Sequence, residues 1–593
     1  MESPAAYYRE QSAHYTKLIA QAKERYVWIA VLRLVSFIAF LFTTFQWINA
    51  HSQVLLVLSV VFQLVFIVLV RIAVQLNERK ALLEKLLFIN NNETAVLQYQ
   101  PNQFNSGSQF VSGDDHTADL DVFGANSLFH LLNRTTTHHG MDQLAGLLRE
   151  PLMNREDIEA YQAAIQTLSR QAELRQLITA HGLLHQESEG NLHHIVSWVQ
   201  TPPILLNRKW INILRFVIPL INLVLLGYYL ATDIYYPLVL GILSSWMVIG
   251  VFAQRVNRQH SLLGKKQTIL EQYAAVLTDF TQVDTGASAL LQREQALASA
   301  AHKAIKKLSR LASFFDQRLN FLVNMLLNSF FLYDIQCLRA LEQWKAQYRN
   351  HFNEWIHCVG MIETLNSLAT FAYNFPSFHY PTVLEKSPVI TATALAHPLI
   401  PEQKRVANDC HFGQNEKLVL VTGSNMSGKT TFLRALGVNL LLARCGAPVC
   451  ASSFAFTPMH IRSSIRVNDS LQEHTSYFMA ELKRLQHIVV HLQQSPVPTL
   501  VLIDEILRGT NSEDKTHGSE QFIKKLIQYN CLTLFATHDL ALSRLEQELP
   551  GQVRNYCFES TIQNGELLFD YKLRTGVAKN RNASFLMEKM QII

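Results

Sequence analysis

Charged side chains are scarce in this sequence. Asp, Glu, Lys and Arg account for only 17% of its 593 residues, whereas hydrophobic residues account for 49%. This composition is unusually apolar for a soluble protein and indicates membrane segments. The net charge of +5 is small. Because basic residues flank the apolar segments, this charge gives no independent evidence for nucleic acid binding. The length predicts about three or four structural units.

Cysteine is rare as well. The seven cysteines are scattered along the chain and none forms a CxxC pair. This pattern favours reduced, mostly buried thiols in a cytosolic protein over a disulfide framework. The adjacent histidines in "THHG" and "LHHIV" would point in different directions on a helix, so we do not predict a metal site from them.

Long apolar runs are present, and they come in two pairs. Residues 27–48 and 54–74 are joined by the polar link "NAHSQ", and residues 211–231 and 237–254 by "TDIYY". Each run has about the 20 residues that a helix needs to cross a bilayer. We therefore predict two transmembrane hairpins rather than buried core helices. A cleavable signal peptide is not expected, because a second span follows the first at once.

The charges around these hairpins predict their orientation. Neither connecting loop contains Lys or Arg, whereas basic residues precede and follow both hairpins. The positive-inside rule then places both termini and the bulk of the chain in the cytoplasm. We expect an integral protein of the plasma or inner membrane. A weaker apolar run at 321–335 carries Asn324, Asn328 and Asp334; we predict a buried helix there, with membrane entry as the alternative.

The stretch "LVLVTGSNMSGKTTFLRALG" (418–437) combines a predicted strand, the pattern GxxxxGK[ST] and a predicted helix. Gly423 and Gly428 would let the backbone wrap phosphate groups, which the loop amides and the helix N-terminus bind. Lys429 would reach the outer phosphates. The predicted nucleotide-binding residues are Gly423, Ser424, Asn425, Met426, Ser427, Gly428, Lys429, Thr430 and Thr431.

Two further strand ends carry polar residues. "TLVLIDEILRGT" (499–510) is an apolar run that ends in Asp504 and Glu505, and "TLFATHD" (533–539) ends near His538. We predict that Thr430 and Asp504 hold Mg²⁺, Asp504 through water, and that Glu505 polarises the attacking water. His538 could sense the γ-phosphate, or could be a solvated turn histidine. Glu505 and His538 are the predicted catalytic residues.

Several motifs together resemble one family. "TGSNMSGKTTFLR", "YFMAEL", "DEILRGTNSED" and "ATHD" look like the ATPase domain of MutS proteins, the DNA mismatch-repair ATPases of the ABC superclass. The likeness covers nearly all of 390–593, including the approach "AHPLIPEQKRVANDCHF", which lies beside the adenine in that family. Residues 121–160 and 362–383 resemble the start and the end of the MutS helical core.

The resemblance implies further roles. Ser476, in "SYFMAE", would touch the γ-phosphate bound by a partner subunit, and Arg508, Gly509 and Thr510 would lie at a dimer contact. Two ATP sites shared across a homodimer are therefore expected. Ser427 departs from the family's usual glycine and Tyr477 from its usual threonine.

The predicted fold is α + α/β, with transmembrane hairpins, an all-α core and lever domain, and an ABC-type P-loop ATPase domain. The units are a cytoplasmic N-terminal helix (1–26), hairpin 1 (27–74), a linker (75–120), the first part of the core (121–209), hairpin 2 (210–254), the second part with the lever (255–384) and the ATPase domain (385–593).

A mismatch-reading domain with the family's Phe-x-Glu wedge is not found ahead of the core, where hairpin 1 lies. We therefore expect a membrane-anchored MutS-like ATPase that lacks this domain and uses ATP and Mg²⁺. DNA binding in mismatch repair is implied by resemblance alone. The alternatives are an ABC-type half-transporter, which lacks support from an "LSGGQ" signature, a mechanochemical ATPase that moves a membrane partner without binding DNA, and a nucleotide-binding scaffold.

Overall fold

The computed structural model describes residues 3–112, 116–184, 191–203, 205–206, 208–264, 266–385, 387–465, 477–507, 511–563 and 566–579. These residues form a mostly helical protein with a mixed α/β region at the C-terminal end.

The chain begins with two very long helices, α1 (Pro4–Ala50) and α2 (Gln53–Leu97). Helix α1 starts at the N-cap Ser3 and joins the predicted N-terminal helix and the first apolar run without a break. The linker predicted over 75–120 is wrong in its first half, because α2 stays helical to Leu97. That half is held by packing, since Leu86 and Ile89 are buried against Ala180.

A helical core follows. Its first part contains α3 (His116–Asp119), α4 (Leu128–Leu132), α5 (His138–Arg149), α6 (Arg155–Ser169), α7 (Ala172–Leu183) and α8 (Asn191–Gln200). The second apolar pair interrupts it as α9 (Lys209–Thr232) and α10 (Tyr236–Leu263). The core then resumes with α11 (Gln267–Phe280), α12 (Ala289–Asp316), α13 (Phe321–Phe331), α14 (Tyr333–Tyr348) and α15 (Phe352–Asn374).

Four helices of the described chain are long and apolar enough to cross a membrane: α1, α2, α9 and α10. The number becomes five if α13 and α14, which meet at a bend of 83°, form one broken span. Many apolar side chains of the four helices are exposed, among them Trp28, Phe42, Leu220 and Met247.

The prediction of a buried helix at 321–335 is wrong. Helix α13 exposes several large apolar side chains and buries Asn328 and Ser329 instead. An apolar run predicts a core helix, because hydrophobic residues usually lie inside a soluble protein. In α13, the face that packs against the rest of the protein is the polar one.

A buried polar network fastens the first long hairpin to the core. The Tyr8 hydroxyl of α1 donates to Oδ1 of Asn374 in α15 at 2.7 Å, and Nδ2 of Asn374 donates to Oε2 of Glu93 in α2 at 2.7 Å. The guanidinium of Arg134 also donates to Glu93, with Nη2 2.9 Å from Oε2, and both side chains of this ion pair are almost fully buried. The ends of α1 and α2 remote from their connecting turn are thereby tied to the centre of the core.

The C-terminal region contains two sheets. Their strands are β1 (Thr382–Val383), β2 (Ile390–Leu395), β3 (Asn408–Phe412), β4 (Leu418–Thr422), β5 (Ser453–Phe456), β6 (His460–Ser464), β7 (Thr499–Asp504), β8 (Cys531–Thr537), β9 (Val553–Gln563) and β10 (Glu566–Thr575). The helices among them are α16 (Lys429–Arg444), α17 (Tyr477–Gln494), α18 (Ser512–Leu526) and α19 (Leu545–Glu548).

The larger sheet has the strand order β10-β9-β4-β8-β7-β6, and all its neighbours are parallel except β10 and β9. Strands β4, β7 and β8 are buried along their whole length, as expected of parallel strands covered on both faces. The register pairs Thr422 with Thr537 and Asp504 with Ala536. The carboxyl ends of these three strands therefore meet at one edge, where ligands of open parallel sheets bind.

Candidate functional site

The loop between β4 and α16 has a backbone that requires glycine. Gly423 has a φ of +154° and Gly428 a φ of +104°. A Cβ at position 423 would lie 2.9 Å from the carbonyl oxygen of Phe558, so a side chain there would be both strained and crowded. Gly428 is the N-cap of α16. The loop amides and the first turn of this helix thus face the same space, an arrangement that binds anions.

Lys429 is buried and its ammonium lies over this loop. Nζ donates to the carbonyl oxygen of Gly423 at 2.7 Å and to that of Ser424 at 2.8 Å. Asn425 and Met426 are exposed at the tip of the loop, whereas Ser427 is buried. The cation is therefore placed at the mouth of the loop rather than in bulk solvent.

Thr430 and Asp504 are brought into direct contact, although 74 residues separate them. The Thr430 hydroxyl donates to Oδ2 of Asp504. Thr430 is in the first turn of α16 and Asp504 ends β7, so the contact depends on the alignment of the strand ends. Two hard oxygen ligands side by side fit a Mg²⁺ ion, which takes one or two protein oxygens and completes its octahedron with waters and phosphates. Across the described chain, no group of three or more His, Cys, Asp or Glu residues is placed to hold a metal.

Glu505 follows Asp504 with a left-handed backbone, at a φ of +54°. Its amide donates to the carbonyl oxygen of Ala536 at 2.9 Å, which ties it to β8. Its Oε1 lies 3.1 Å from Nδ1 of His538 and 2.5 Å from Nζ of Lys515. Glu505 and His538 are predicted from the sequence, whereas Lys515, which belongs to the first turns of α18, is not. The only sequence signal was a lysine ten residues after the carboxylate.

A cavity of about 530 Å³ joins these groups. One side is formed by the loop residues from Asn425 to Thr431, with Asp504 and Glu505, and the other side by residues of the 395–408 segment and by Tyr571. Tyr571 was also missed. Its backbone has a φ of +54°, and its carbonyl oxygen accepts from Nδ2 of Asn408 at 3.0 Å. Its ring lies against Gly428. The cavity thus brings the polar groups of the loop and of the strand ends together with an aromatic wall.

His397 lines the cavity on the side of the 395–408 segment. Burial and the neighbouring guanidinium of Arg434 lower the pKa of this imidazole to about 4. The backbone amide of Leu399 donates to its Nδ1 at 3.3 Å. His397 is therefore neutral at physiological pH and contributes shape and hydrogen bonding rather than charge.

Contacts with the helical core hold both sides of the site. Asp119, fully buried in α3, accepts from the Ser463 hydroxyl at 2.7 Å and from Nη2 of Arg484 at 2.6 Å. Asp121 accepts from Nη1 of Arg434, which belongs to α16, at 3.0 Å. One short stretch of the core thus contacts the helix after the phosphate-type loop and also the strand and helix that flank residues 466–476.

Several predicted residues lie outside the described chain. They are Ser476, Arg508, Gly509, Thr510 and the closing segment from residue 580 onward. Their roles stay predictions. Of the remaining predicted site residues, Asn425 to Thr431 line this cavity together with Asp504 and Glu505. Gly423 and Ser424 do not line it, but their carbonyl oxygens accept from Nζ of Lys429, and His538 contacts Glu505.

The fold and the site define a helical protein with a C-terminal, mainly parallel α/β domain that carries a glycine-dependent loop before a helix. Comparison with known proteins is more specific. A model of MutS domain III matches residues 113–372, and a model of MutS domain V matches residues 419–589. The chain therefore belongs to the MutS family, as the motifs predicted. Helices α9 and α10 lie inside the region matched by domain III.

Two relatives show how far the similarity extends. The chain is 31% identical over 218 residues to the DNA mismatch repair protein MutS of Thermotoga maritima, a match covering 36% of this chain and 27% of that protein. It is 30% identical over 247 residues to MutS protein homolog 4 of Homo sapiens, covering 39% of this chain and 25% of that protein. Each match therefore spans about a quarter of the relative's length.

Proposed function

We propose that this chain is a membrane-anchored MutS-like ATPase that binds and hydrolyses ATP in a homodimer and thereby moves its helical core. The observation that carries the proposal is the convergence of Lys429, Thr430, Asp504 and Glu505 at one edge of the parallel sheet. A lysine, a hydroxyl and two carboxylates at the mouth of a glycine-dependent loop are the groups that phosphoryl transfer from ATP needs.

Each group has a separate part. The loop amides and the Lys429 ammonium would bind the phosphates, and the ammonium would exchange its present carbonyl acceptors for phosphate oxygens. Thr430 and Asp504 would hold Mg²⁺, which supplies charge neutralisation on the phosphates when it is bound. Glu505 would orient and polarise the attacking water, and His538, in contact with Glu505, would respond to the terminal phosphate. The base would lie on the side of the cavity that contains His397, with the Tyr571 ring as an aromatic wall.

Membrane anchoring is supported by α1, α2, α9 and α10, whose length and exposed apolar side chains fit a bilayer. The two connecting turns lack Lys and Arg. We therefore propose that only these turns reach the far side, and that the core and the α/β domain are cytoplasmic, in a plasma or inner membrane. Closure of an ATP-bound dimer, with Ser476 reaching the partner's site, would pull on helices that the bilayer holds.

DNA is the proposed client on the family relationship, because one relative is named for DNA mismatch repair. A membrane partner moved without DNA is the second candidate. It is favoured by the buried network that ties Tyr8 and Glu93 of the first hairpin to Asn374 of the core, since movement of the core would then be passed to the membrane helices.

The test is Mg²⁺-dependent ATP hydrolysis by the full chain in detergent, with and without duplex, mismatched and branched DNA. Lys429→Ala should weaken nucleotide binding. Glu505→Gln should bind ATP but hydrolyse it at least about a hundredfold more slowly, in the range of general-base losses. Equal turnover of Glu505→Gln and the unmodified chain would overturn the ATPase assignment. Stimulation by DNA would favour the first client, and activity indifferent to every DNA would favour the membrane partner.

A further inference from the structure

Helix α13 has the polarity of a membrane helix rather than that of a core helix. Phe321, Leu322, Met325 and Leu326 are 75%, 68%, 50% and 59% exposed. The side chains that it buries are polar, Asn328 at 0% and Ser329 at 5% exposure. In water, such an arrangement would expose the apolar face and desolvate the amide. In a bilayer, polar groups face the protein interior and apolar groups face the lipid.

The buried polar face packs on the second hairpin. Nδ2 of Asn222 in α9 donates to the backbone oxygen of Ser329 at 2.9 Å and to the hydroxyl of Ser245 in α10 at 2.8 Å. Nε1 of Trp246 donates to the hydroxyl of Ser329 at 3.1 Å. Ser329 is therefore bonded by two helices that are each apolar enough to span a membrane. The buried amide of Asn328 is bonded within the segment itself, to Oδ1 of Asn324 and to the backbone amide of Asp334.

The position of these contacts along the hairpin sets the depth of α13. Asn222 is near the middle of α9 (Lys209–Thr232), about 20 Å from the start of that helix at 1.5 Å per residue. If α9 crosses a bilayer, Asn222 lies inside the hydrocarbon layer, and Ser329, in contact with it, lies there too. Apolar residues of the hairpin such as Leu220 and Met247 are exposed as well.

Charged residues hold both ends of the apolar segment that contains α13. The chain has no Asp, Glu, Lys or Arg between Arg318 and Asp334, and these two form an ion pair at 3.2 Å. Arg318 also donates to Oδ1 of Asn257 at 2.9 Å, toward the end of α10. The backbone of Leu332 is left-handed, with a φ of +51°, and the chain bends by 83° there into α14. The segment thus enters and returns on the same side of the hairpin.

We propose that α13 is a re-entrant helix, inserted beside the second hairpin from the cytoplasmic side, with its exposed face in contact with lipid acyl chains. Its 11 residues measure about 16 Å, roughly half of the ~30 Å hydrocarbon layer, so it enters the bilayer without crossing it. The proposal rests on the proposed membrane anchor. It adds a fifth membrane contact, one that belongs to the core and leads through α14 and α15 toward the α/β domain.

Site-directed spin labelling of the full chain in liposomes tests this. All seven native cysteines are buried, so a single introduced cysteine can be labelled selectively. The test sites are Leu322→Cys and Met325→Cys. Val224→Cys, 63% exposed on α9, is the lipid control, and Lys307→Cys, exposed on α12, is the water control. We expect the ratio of oxygen to nickel-chelate accessibility at both test sites to match the lipid control and to exceed the water control several-fold.

The controls separate the possible failures. High nickel-chelate accessibility at 322 and 325, with Val224→Cys still in lipid, would overturn the re-entrant helix and leave the anchor intact. Low accessibility to both reagents would mean that protein, such as a second copy of the chain, covers the face, and would also overturn the proposal. Nickel-chelate access at Val224→Cys itself would overturn the membrane anchor on which it rests.

Discussion

Nζ of Lys515 lies 2.5 Å from Oε1 of Glu505, and both side chains are largely buried, at 17% and 16% exposure. The carboxylate proposed to polarise water is therefore paired with a cation. Lys515 does not line the cavity of the site, so its effect on the proposed hydrolysis would be exerted through Glu505. This pairing would oppose catalysis, because the ammonium competes with the water's proton for the same oxygen.

We accordingly expect Lys515→Met to raise the kcat of ATP hydrolysis by about fivefold, because one partly solvated charge-assisted hydrogen bond contributes about 1 kcal/mol. ATP affinity should stay within about twofold, and the steady-state rate and nucleotide binding check both. Lys524→Met is the matched control, since Lys524 is on the same helix but pairs with Glu520. A fall in kcat would instead mean that Lys515 holds Glu505 in its productive position.

Hydrolysis should depend on two chains, because Ser476 is expected to serve the partner's ATP site. Lys429→Ala and Ser476→Arg, each inactive alone, should recover up to about a quarter of full activity when co-expressed and co-reconstituted in equal amounts. Half of the dimers would then be mixed, and each mixed dimer would have one intact site. Mixed dimers that form but stay inactive would argue for sites complete within one chain.

The proposed topology predicts which exposed positions react with an impermeant thiol reagent applied outside intact cells. Gln53→Cys, at the first residue of α2, and Asp233→Cys, in the turn between α9 and α10, should be labelled. Ser512→Cys, in the α/β domain, should react only after lysis. The unmodified chain is the control because its own cysteines are buried. Labelling of Ser512→Cys from outside would reverse the orientation.

The Glu93–Arg134 pair should be a main determinant of stability. Removing one partner of a buried ion pair leaves an uncompensated charge and costs about 3–5 kcal/mol, so Glu93→Met should lower the unfolding temperature in detergent markedly. The double variant Glu93→Met/Arg134→Leu should recover part of the loss. Glu84→Gln on the same helix, from an exposed pair with Lys80, should change little. Similar melting of all three would contradict a role for the buried network.

His397 makes stability depend on pH. Its pKa is lowered to about 4 in the folded chain, below about 6.5 in the unfolded chain. The unfolded state therefore binds more protons between these values, and stability is lost as the pH falls from about 6.5 to 4, by up to about 3 kcal/mol. His397→Gln should show a smaller drop in melting temperature between pH 7 and pH 5. Exposed His351→Gln is the control, and an unchanged drop in His397→Gln would contradict the burial effect.

Local patterns predicted the elements of the α/β domain well. The strand and helix around 418–437 are β4 and α16, and the strands before Glu505 and His538 are β7 and β8. For each of these elements, the residues whose pattern predicts it lie within a few positions of one another in the chain. Asp119 and Tyr571 could not be predicted in this way, because their partners are distant in the chain. Lys515 is only ten residues from Glu505, but their contact depends on the placement of α18 relative to the end of β7.

The prediction for α13 was wrong for another reason. An apolar run with two asparagines is compatible with a protein core or with a bilayer, and sequence alone does not say whether the apolar face contacts protein or lipid. The contacts of Asn222, Ser245 and Ser329 supply that information. The helix in the first half of the predicted linker was not predicted, because it is stabilised by the packing of Leu86 and Ile89 on α7, which is distant in the chain.

Helix α1 runs unbroken from Pro4 to Ala50, and the distance from Tyr8 to Trp47 is about 60 Å at 1.5 Å per residue. Because this helix has no break, it has no hinge at which a twist or a tilt of one end could be taken up before it reaches the other end. A rotation of about 5° at the end held by Asn374 would displace the far end by about 5 Å, comparable to half the diameter of a helix. In the proposed membrane-anchored arrangement, a small rearrangement of the core would thus produce a larger displacement of the turn at His51, on the opposite face of the bilayer.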